Sequence, residues 1–164
     1  MVFDLTEVFA SQGASKQVSY DLDMSHTEFS GGYPFTSPVS VKAYAQNIAG
    51  MVSVDIDTSF DFETRCDRCF EKIKSRMEYH FTHRLIEALQ EEYNDDYIET
   101  PDMSLELDDL VSSDILLELP SKFLCRGDCQ GLCQKCGHNL NLGDCGCDRD
   151  EIDPRLASLK NLLD

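Results

Sequence analysis

Between residues 51 and 85 apolar and polar side chains alternate, and the alternation changes parity half-way. Val52, Val54, Ile56, Phe60 and Phe62 occupy even positions, with Ser53, Asp55, Asp57, Asp61 and Glu63 between them. Beyond Cys69 the apolar residues Ile73, Met77, Tyr79, Phe81 and Leu85 are odd, and Lys72, Lys74, Arg76 and Arg84 are even. Successive strand side chains point to opposite faces, so this pattern predicts two strands, each with one buried face. A two-residue turn at Asp67-Arg68 puts both apolar stripes on the same side. It sets Phe62 opposite Ile73 and Ile56 opposite Tyr79, with Glu63 facing Lys72 and Asp61 facing Lys74 on the other side. Opposite charges paired across strands contribute roughly 0.2–1 kcal/mol each. In this register Cys66 and Cys69 flank the turn and project toward the buried side.

The rest of the chain carries weaker periodicities. Thr6 to Ser11 suits a short helix. Val18, Tyr20, Leu22 and Met24 alternate with polar residues, and Val39, Val41, Ala43 and Ala45 begin a further strand. Residues 26–38, with Gly31-Gly32 and two prolines, read as a loop, as does the polar stretch 90–102. Met103, Leu105 and Leu107 alternate briefly. Asp108 to Leu119 suits a helix capped by Asp108, with Leu110, Val111 and Ile115 on one face and Pro120 as its stop. A terminal helix is expected after Asp153 and Pro154, lined by Leu156, Leu159 and Leu163. The fold class is therefore α+β: an antiparallel β-sheet with few helices and a C-terminal cysteine-rich segment. Its domains are a sheet-rich part, 1–122, and a cysteine-rich part with the last helix, 123–164.

Charge narrows the choice of partner. The 164 residues carry a formal net charge of −17, which in bulk opposes nucleic acid and favours basic surfaces. The charge is uneven: residues 85–121 hold twelve Asp or Glu and no Lys or Arg, whereas residues 65–84 hold six Lys or Arg against three acids. Arg65, Arg68, Lys72, Lys74, Arg76 and Arg84 are thus candidates for contact with RNA phosphates or another partner. The acidic stretch is a candidate seat for a basic protein, and the overall charge favours that second route. The N-terminal residues do not read as a secretory signal, and no stretch approaches the ~18 apolar residues of a membrane span. A cytoplasmic protein with reduced thiols is expected.

Reduced thiols turn attention to the cysteines. Six of the eight lie in residues 125–147, and the other two form Cys66-x2-Cys69. Zinc favours four thiolates in a tetrahedron, and pairs at two-residue spacing grip one ion from two sides of a tight turn. Cys133-x2-Cys136-Gly137 has the form of a zinc knuckle. The preferred assignment gives one ion to Cys133, Cys136, Cys145 and Cys147, and a second to Cys66, Cys69, Cys125 and Cys129. A competing assignment moves Cys129 to the distal site and leaves Cys125 free, so one or two structural Zn²⁺ ions are expected. The distal segment has few large apolar residues, and metal binding would supply folding free energy in place of a core, on the order of 10 kcal/mol per site.

No catalytic pattern accompanies these thiols. There is no His-Glu-x2-His, and no His-x-Glu beside a Pro-Cys-x2-Cys. All-cysteine sites are closed and poor at activating water. His138 is expected to be a polar loop residue rather than a ligand. A redox role for Cys66 and Cys69 normally needs a helix N-terminus, and this pair sits on a hairpin.

Taken together, Arg65-Cys66-Asp67-Arg68-Cys69, the run Gly131-Leu132-Cys133-Gln134-Lys135-Cys136-Gly137-His138-Asn139-Leu140-Asn141, the pair Cys145-Gly146-Cys147 and the terminal Asp153-Pro154-Arg155-Leu156-Ala157-Ser158-Leu159-Lys160 resemble the YceD family of large ribosomal RNA subunit accumulation proteins. The resemblance implies a non-catalytic bacterial factor that supports large-subunit rRNA accumulation and ribosome assembly. Its partner would be a ribosomal protein, rRNA or a pre-ribosomal particle, not a membrane or a small molecule. The competing readings are a thiol-based zinc or redox sensor and a zinc-ribbon regulator that binds nucleic acid.

Overall fold

The computed structural model describes residues 1–87 and 97–147. The chain divides into two compact units, residues 1–64 with 74–121, and residues 65–73 with 122–164.

Unit 1 is built on a five-stranded sheet. Its strands are β2 (Ser15–Leu22), β3 (Val39–Ile48), β4 (Met51–Arg65), β5 (Lys72–Ile86) and β6 (Tyr97–Glu99), hydrogen-bonded in that order. The β2–β3 and β3–β4 pairs are antiparallel, and β6 joins β5 in parallel at the edge. A short pair is formed by β1 (Val2–Asp4) and β7 (Ser104–Glu106). The α-helices among the described residues are α1 (Thr6–Ala10) and α2 (Leu107–Glu118). The α+β class read from the alternation is the one observed.

Alternation decides which face is buried. Val39, Val41, Ala43 and Ala45 of β3 are buried, as are Val52, Val54, Ile56, Phe60 and Phe62 of β4. Phe35 packs on both Phe60 and Phe62, with ring centroids 5.3 and 5.4 Å apart, and Phe60 lies 6.0 Å from Tyr79. Between β3 and β4 the chain reverses at Ala49 and Gly50, with φ of 55° and 89°, the left-handed pair that a two-residue hairpin turn requires. Asn47, buried beside this turn, donates to the Val8 carbonyl at 2.8 Å and accepts from Gly50 N–H at 3.0 Å. No polar atom of that side chain is wasted, and α1 is tied to the sheet.

Two local expectations are corrected. First, β4 and β5 are not joined by a two-residue turn at Asp67-Arg68. Residues 66–71 lie between them, and the cross-strand partners shift accordingly. Lys74 pairs with Glu63 at 2.7 Å, Arg76 with Asp61 at 3.3 Å, and His80 with Asp57 at 2.8 Å. The shift is an even number of residues, so both apolar stripes keep their common face while every charge pair changes partner. Second, Asp108 does not cap α2. The cap is Glu106, whose side chain makes no capping bond, and the Asp108 carboxylate instead accepts from the Met1 nitrogen at 2.5 Å. The buried stripe of α2 is Leu107, Val111 and Ile115, with Leu110 only half-buried. His83 Nε2 lies 2.8 Å from Asp114 Oδ2 and links β5 to α2. The expected polar loop 90–102 contains β6, and its residues up to 96 lie outside the described ones, as does the expected terminal helix. No helix among the described residues is long and apolar enough to cross a membrane.

Among the described residues, unit 2 has little secondary structure beyond a 3-10 turn at Leu140–Leu142. Hydrogen bonds join its two segments. Asp67 N–H donates to the Phe123 carbonyl at 2.8 Å, Phe123 N–H returns to the Asp67 carboxylate at 2.7 Å, and Leu132 N–H reaches the Arg68 carbonyl at 3.1 Å. Gly131 is required here: its φ is +76°, and a Cβ would stand 3.2 Å from the Arg68 carbonyl oxygen.

Because Ile56 is fully buried at the centre of the sheet, Ile56→Ala should destabilise the protein by about 2–5 kcal/mol, whereas Lys74→Ala on the exposed face should cost less than about 1 kcal/mol. Urea unfolding of the two variants measures the difference, and equal losses would contradict this placement of the core.

Candidate metal centres

The two cysteine pairs at two-residue spacing fold into the same turn. Cys66 N–H donates to the Glu71 carbonyl and Phe70 N–H to the Cys66 carbonyl, at 2.8 and 2.9 Å. In the second turn Cys133 N–H donates to the His138 carbonyl and Gly137 N–H to the Cys133 carbonyl, both at 2.8 Å. Each turn closes through a left-handed residue directly after its second cysteine, Phe70 with φ 60° and Gly137 with φ 73°. This geometry turns backbone N–H groups toward the sulfurs.

The fold brings the eight thiols together as two sets of four, Cys66/Cys69/Cys125/Cys129 and Cys133/Cys136/Cys145/Cys147. Within each set all Sγ atoms lie within 4.8 Å of one another. Cys66 Sγ is 3.8 Å from Cys129 Sγ, and Cys69 Sγ is 3.6 Å from Cys125 Sγ. A disulfide needs about 2.05 Å, and none of the eight is bonded to another. Four sulfurs about 2.3 Å from a central ion stand ~3.8 Å apart on a tetrahedron's edges. The donor set and its spacing therefore fit a metal ion. Placing Cys129 beside Cys66 puts it in the first set. His138 contributes only its backbone carbonyl to the second turn.

The sites differ in burial. Cys66, Cys69 and Cys129 are buried and pack with Ile73, Leu124 and Leu132. In the second set only Cys133 is buried, and Cys136 is exposed. Electrostatics distinguish the thiols within each set. Burial pushes the Cys66 thiol up, but the N–H groups of Cys125, Arg68 and Cys69 outweigh it and bring it down to about 6. The N–H groups of Cys136 and Lys135 bring Cys133 down to about 6. Burial, followed by the neighbouring thiols, pushes Cys125 up to about 12. Hydrogen bonds that the Cys147 thiol donates to Cys136 and Cys145, followed by burial, push it up to about 12. The Asn141 amide draws the Cys129 thiol down as well, so the first set holds two thiols below the ordinary range and two pushed above it, and the second holds Cys133 below and Cys147 above. Negative charges crowded into one small volume repel. A divalent cation removes that conflict.

One supporting residue was not anticipated from the spacing. Asn141 Nδ2 donates to Cys129 Sγ at 3.3 Å, and its Oδ1 accepts from Gln130 N–H and Arg126 Nη2, both at 2.8 Å. Asn139 in turn accepts from Asn141 N–H and Nδ2, at 3.0 and 2.8 Å. The only trace of this in the chain is the Asn-Leu-Asn spacing that the 3-10 turn needs, and nothing in that triplet points to sulfur.

The six candidate cations are shared between the two units. Arg65, Arg68 and Lys72 belong to unit 2, and Lys74, Arg76 and Arg84 to unit 1. Arg68 Nη1 donates to the Cys129 carbonyl at 2.8 Å, so it supports the first cysteine set. Arg76 meets Asp61, Glu78 and Ser59, and Lys74 meets Glu63. Unit 1 holds five Lys or Arg against 22 Asp or Glu, while unit 2 holds nine of each. The whole net charge therefore resides in unit 1.

The family model described as "Large ribosomal RNA subunit accumulation protein YceD" matches residues 54–163, which includes both cysteine sets. The chain belongs to the YceD family. Among curated relatives, an uncharacterized protein of Mycobacterium tuberculosis is 31% identical over 102 residues, covering 60% of this chain and 49% of that protein. The chloroplastic large ribosomal RNA subunit accumulation protein YCED homolog 1 of Arabidopsis thaliana is 41% identical over 61 residues, 37% of this chain and 18% of the homologue. The match thus spans about half the length of the mycobacterial relatives. No solved structure matches significantly.

Proton competition gives the metal reading a direction in pH. Metal binding needs the thiolate form, so affinity must fall as pH falls. Cobalt(II) should give thiolate charge-transfer absorption at pH 7 that weakens as the sample is acidified. Absence of these bands at pH 7 would contradict both sites.

Proposed function

We propose that this chain is a non-catalytic factor supporting the accumulation of large-subunit ribosomal RNA, and that Zn²⁺ fills both cysteine sets as a structural ion. The observation that carries this reading is the pair of tetrathiol sets inside the segment that matches the YceD family. Four thiolates complete the zinc shell and leave no position for water or substrate, which favours a scaffold over a hydrolytic centre. The name of the Arabidopsis homologue supplies the ribosomal direction.

The expected setting is the cytoplasm, and the expected partner is a pre-ribosomal particle. Unit 1 concentrates the acidic charge, and the basic stripe of its sheet is largely answered by its own acids. Basic ribosomal proteins are the natural ligands of such a surface, held by an attraction that weakens with salt.

In cells lacking the protein, the ratio of large- to small-subunit rRNA should fall. Supplying the wild-type chain should restore it, and the double variant Cys66→Ser/Cys133→Ser should not. An unchanged ratio in the depleted cells would contradict the ribosomal assignment. Restoration by the double variant would contradict the role given to zinc.

A further inference from the structure

The two cysteine turns match bond for bond, yet they differ at the residue after the second cysteine. One has Gly137 and the other Phe70, both left-handed. Glycine takes that conformation freely, whereas a bulky side chain there is strained. Phe70 carries a second cost, since 60% of it is exposed to solvent. Its side chain does not serve the core of unit 2, which is made by Cys66, Cys69 and Cys129 with Ile73, Leu124, Cys125 and Leu132. A residue that is both strained and exposed, where glycine serves the equivalent turn, points to a task outside the fold.

The surroundings indicate the chemistry of that task. Phe70 sits in the turn Arg65-Cys66-Asp67-Arg68-Cys69-Phe70-Glu71-Lys72, where all but the two cysteines are exposed and three cations flank the ring in sequence. Both Asp67 and Arg68 are anchored within unit 2, the first by Phe123 N–H and the second by the Cys129 carbonyl. The described part of unit 2 carries Arg65, Arg68, Lys72, Lys122, Arg126 and Lys135 against Asp67, Glu71, Asp128 and Asp144. The sulfurs of the first set are mostly buried, whereas Arg65, Arg68 and Lys72 are exposed. An exposed aromatic with cations beside it in the chain is a combination that binds single-stranded nucleic acid, the ring stacking on a base and the cations meeting phosphates.

We infer that Phe70 is a base-stacking residue through which the first cysteine turn holds an unpaired segment of RNA. This deepens the ribosomal reading above and rests on it. The acidic unit and this turn would address the protein and the RNA of the same kind of particle.

The chain has no tryptophan, so Phe70→Trp introduces a single reporter. Its emission should be quenched by a short single-stranded oligoribonucleotide, and much less by the same sequence annealed to its complement. Phe70→Gly should keep the zinc content and hold or raise the melting temperature, because the strain is relieved. Its affinity for the oligoribonucleotide should nevertheless fall about tenfold. Wild-type affinity in Phe70→Gly would overturn the proposal, as would unchanged emission of Phe70→Trp at saturating RNA. If the RNA leaves the emission unmoved and a basic ribosomal protein shifts it to the blue, the ring is a protein contact. The RNA proposal then fails while the ribosomal reading stands. Quenching with fewer than two zinc ions per chain would support the stacking role and contradict only the zinc reading.

Discussion

Everything in unit 2 depends on whether four sulfurs can share a small volume. Cys66, Cys69, Cys125 and Cys129 come from turns far apart in sequence, with 56 residues separating Cys69 from Cys125. Bringing such distant segments together carries a closure entropy, and the few apolar side chains around them do not make a core of ordinary size. As neutral thiols the four are weak partners for one another, and as thiolates they repel. A divalent cation converts the same arrangement into the strongest set of contacts in the unit. The backbone N–H groups aimed at Cys66 and Cys133, and the Asn141 amide on Cys129, are then the outer layer that orients ligands.

This constraint also explains how the labour is divided. The sheet of unit 1 is held by an ordinary apolar face and can therefore carry a large surplus of acid on its surface. Unit 2 has its cations and acids in balance and its stability in sulfur, which leaves its turns free to present side chains that a hydrophobic core would have absorbed. Phe70 is the clearest case. The strain of its left-handed backbone is tolerable because two backbone hydrogen bonds close the turn.

Much of this was legible in the chain. Period-two alternation named the buried faces of β3 and β4 and the half-buried face of β5 correctly because burial on one face is a strong constraint with a simple period. The grouping of the cysteines was legible because a tight turn brings residues at two-residue spacing together, and loop lengths limit which pairs meet. The register of the β4–β5 hairpin was not, since an even shift keeps every apolar residue on its face and only the charge pairs, worth little each, tell the two apart. The short pairs β1–β7 and β5–β6 are joined by few bonds between distant segments and leave no periodic trace. Asn141 and Phe70 were missed for a related reason: their roles follow from backbone conformations that their neighbours impose.

The metal itself is the most exposed point of this account. X-ray absorption at the zinc edge, on protein purified without added metal, reports the neighbours of every bound ion directly. The account predicts four sulfur neighbours at about 2.3 Å around each zinc and no nitrogen or oxygen. A shell containing nitrogen or oxygen, or purified protein with no zinc edge and an ordered unit 2, would contradict it.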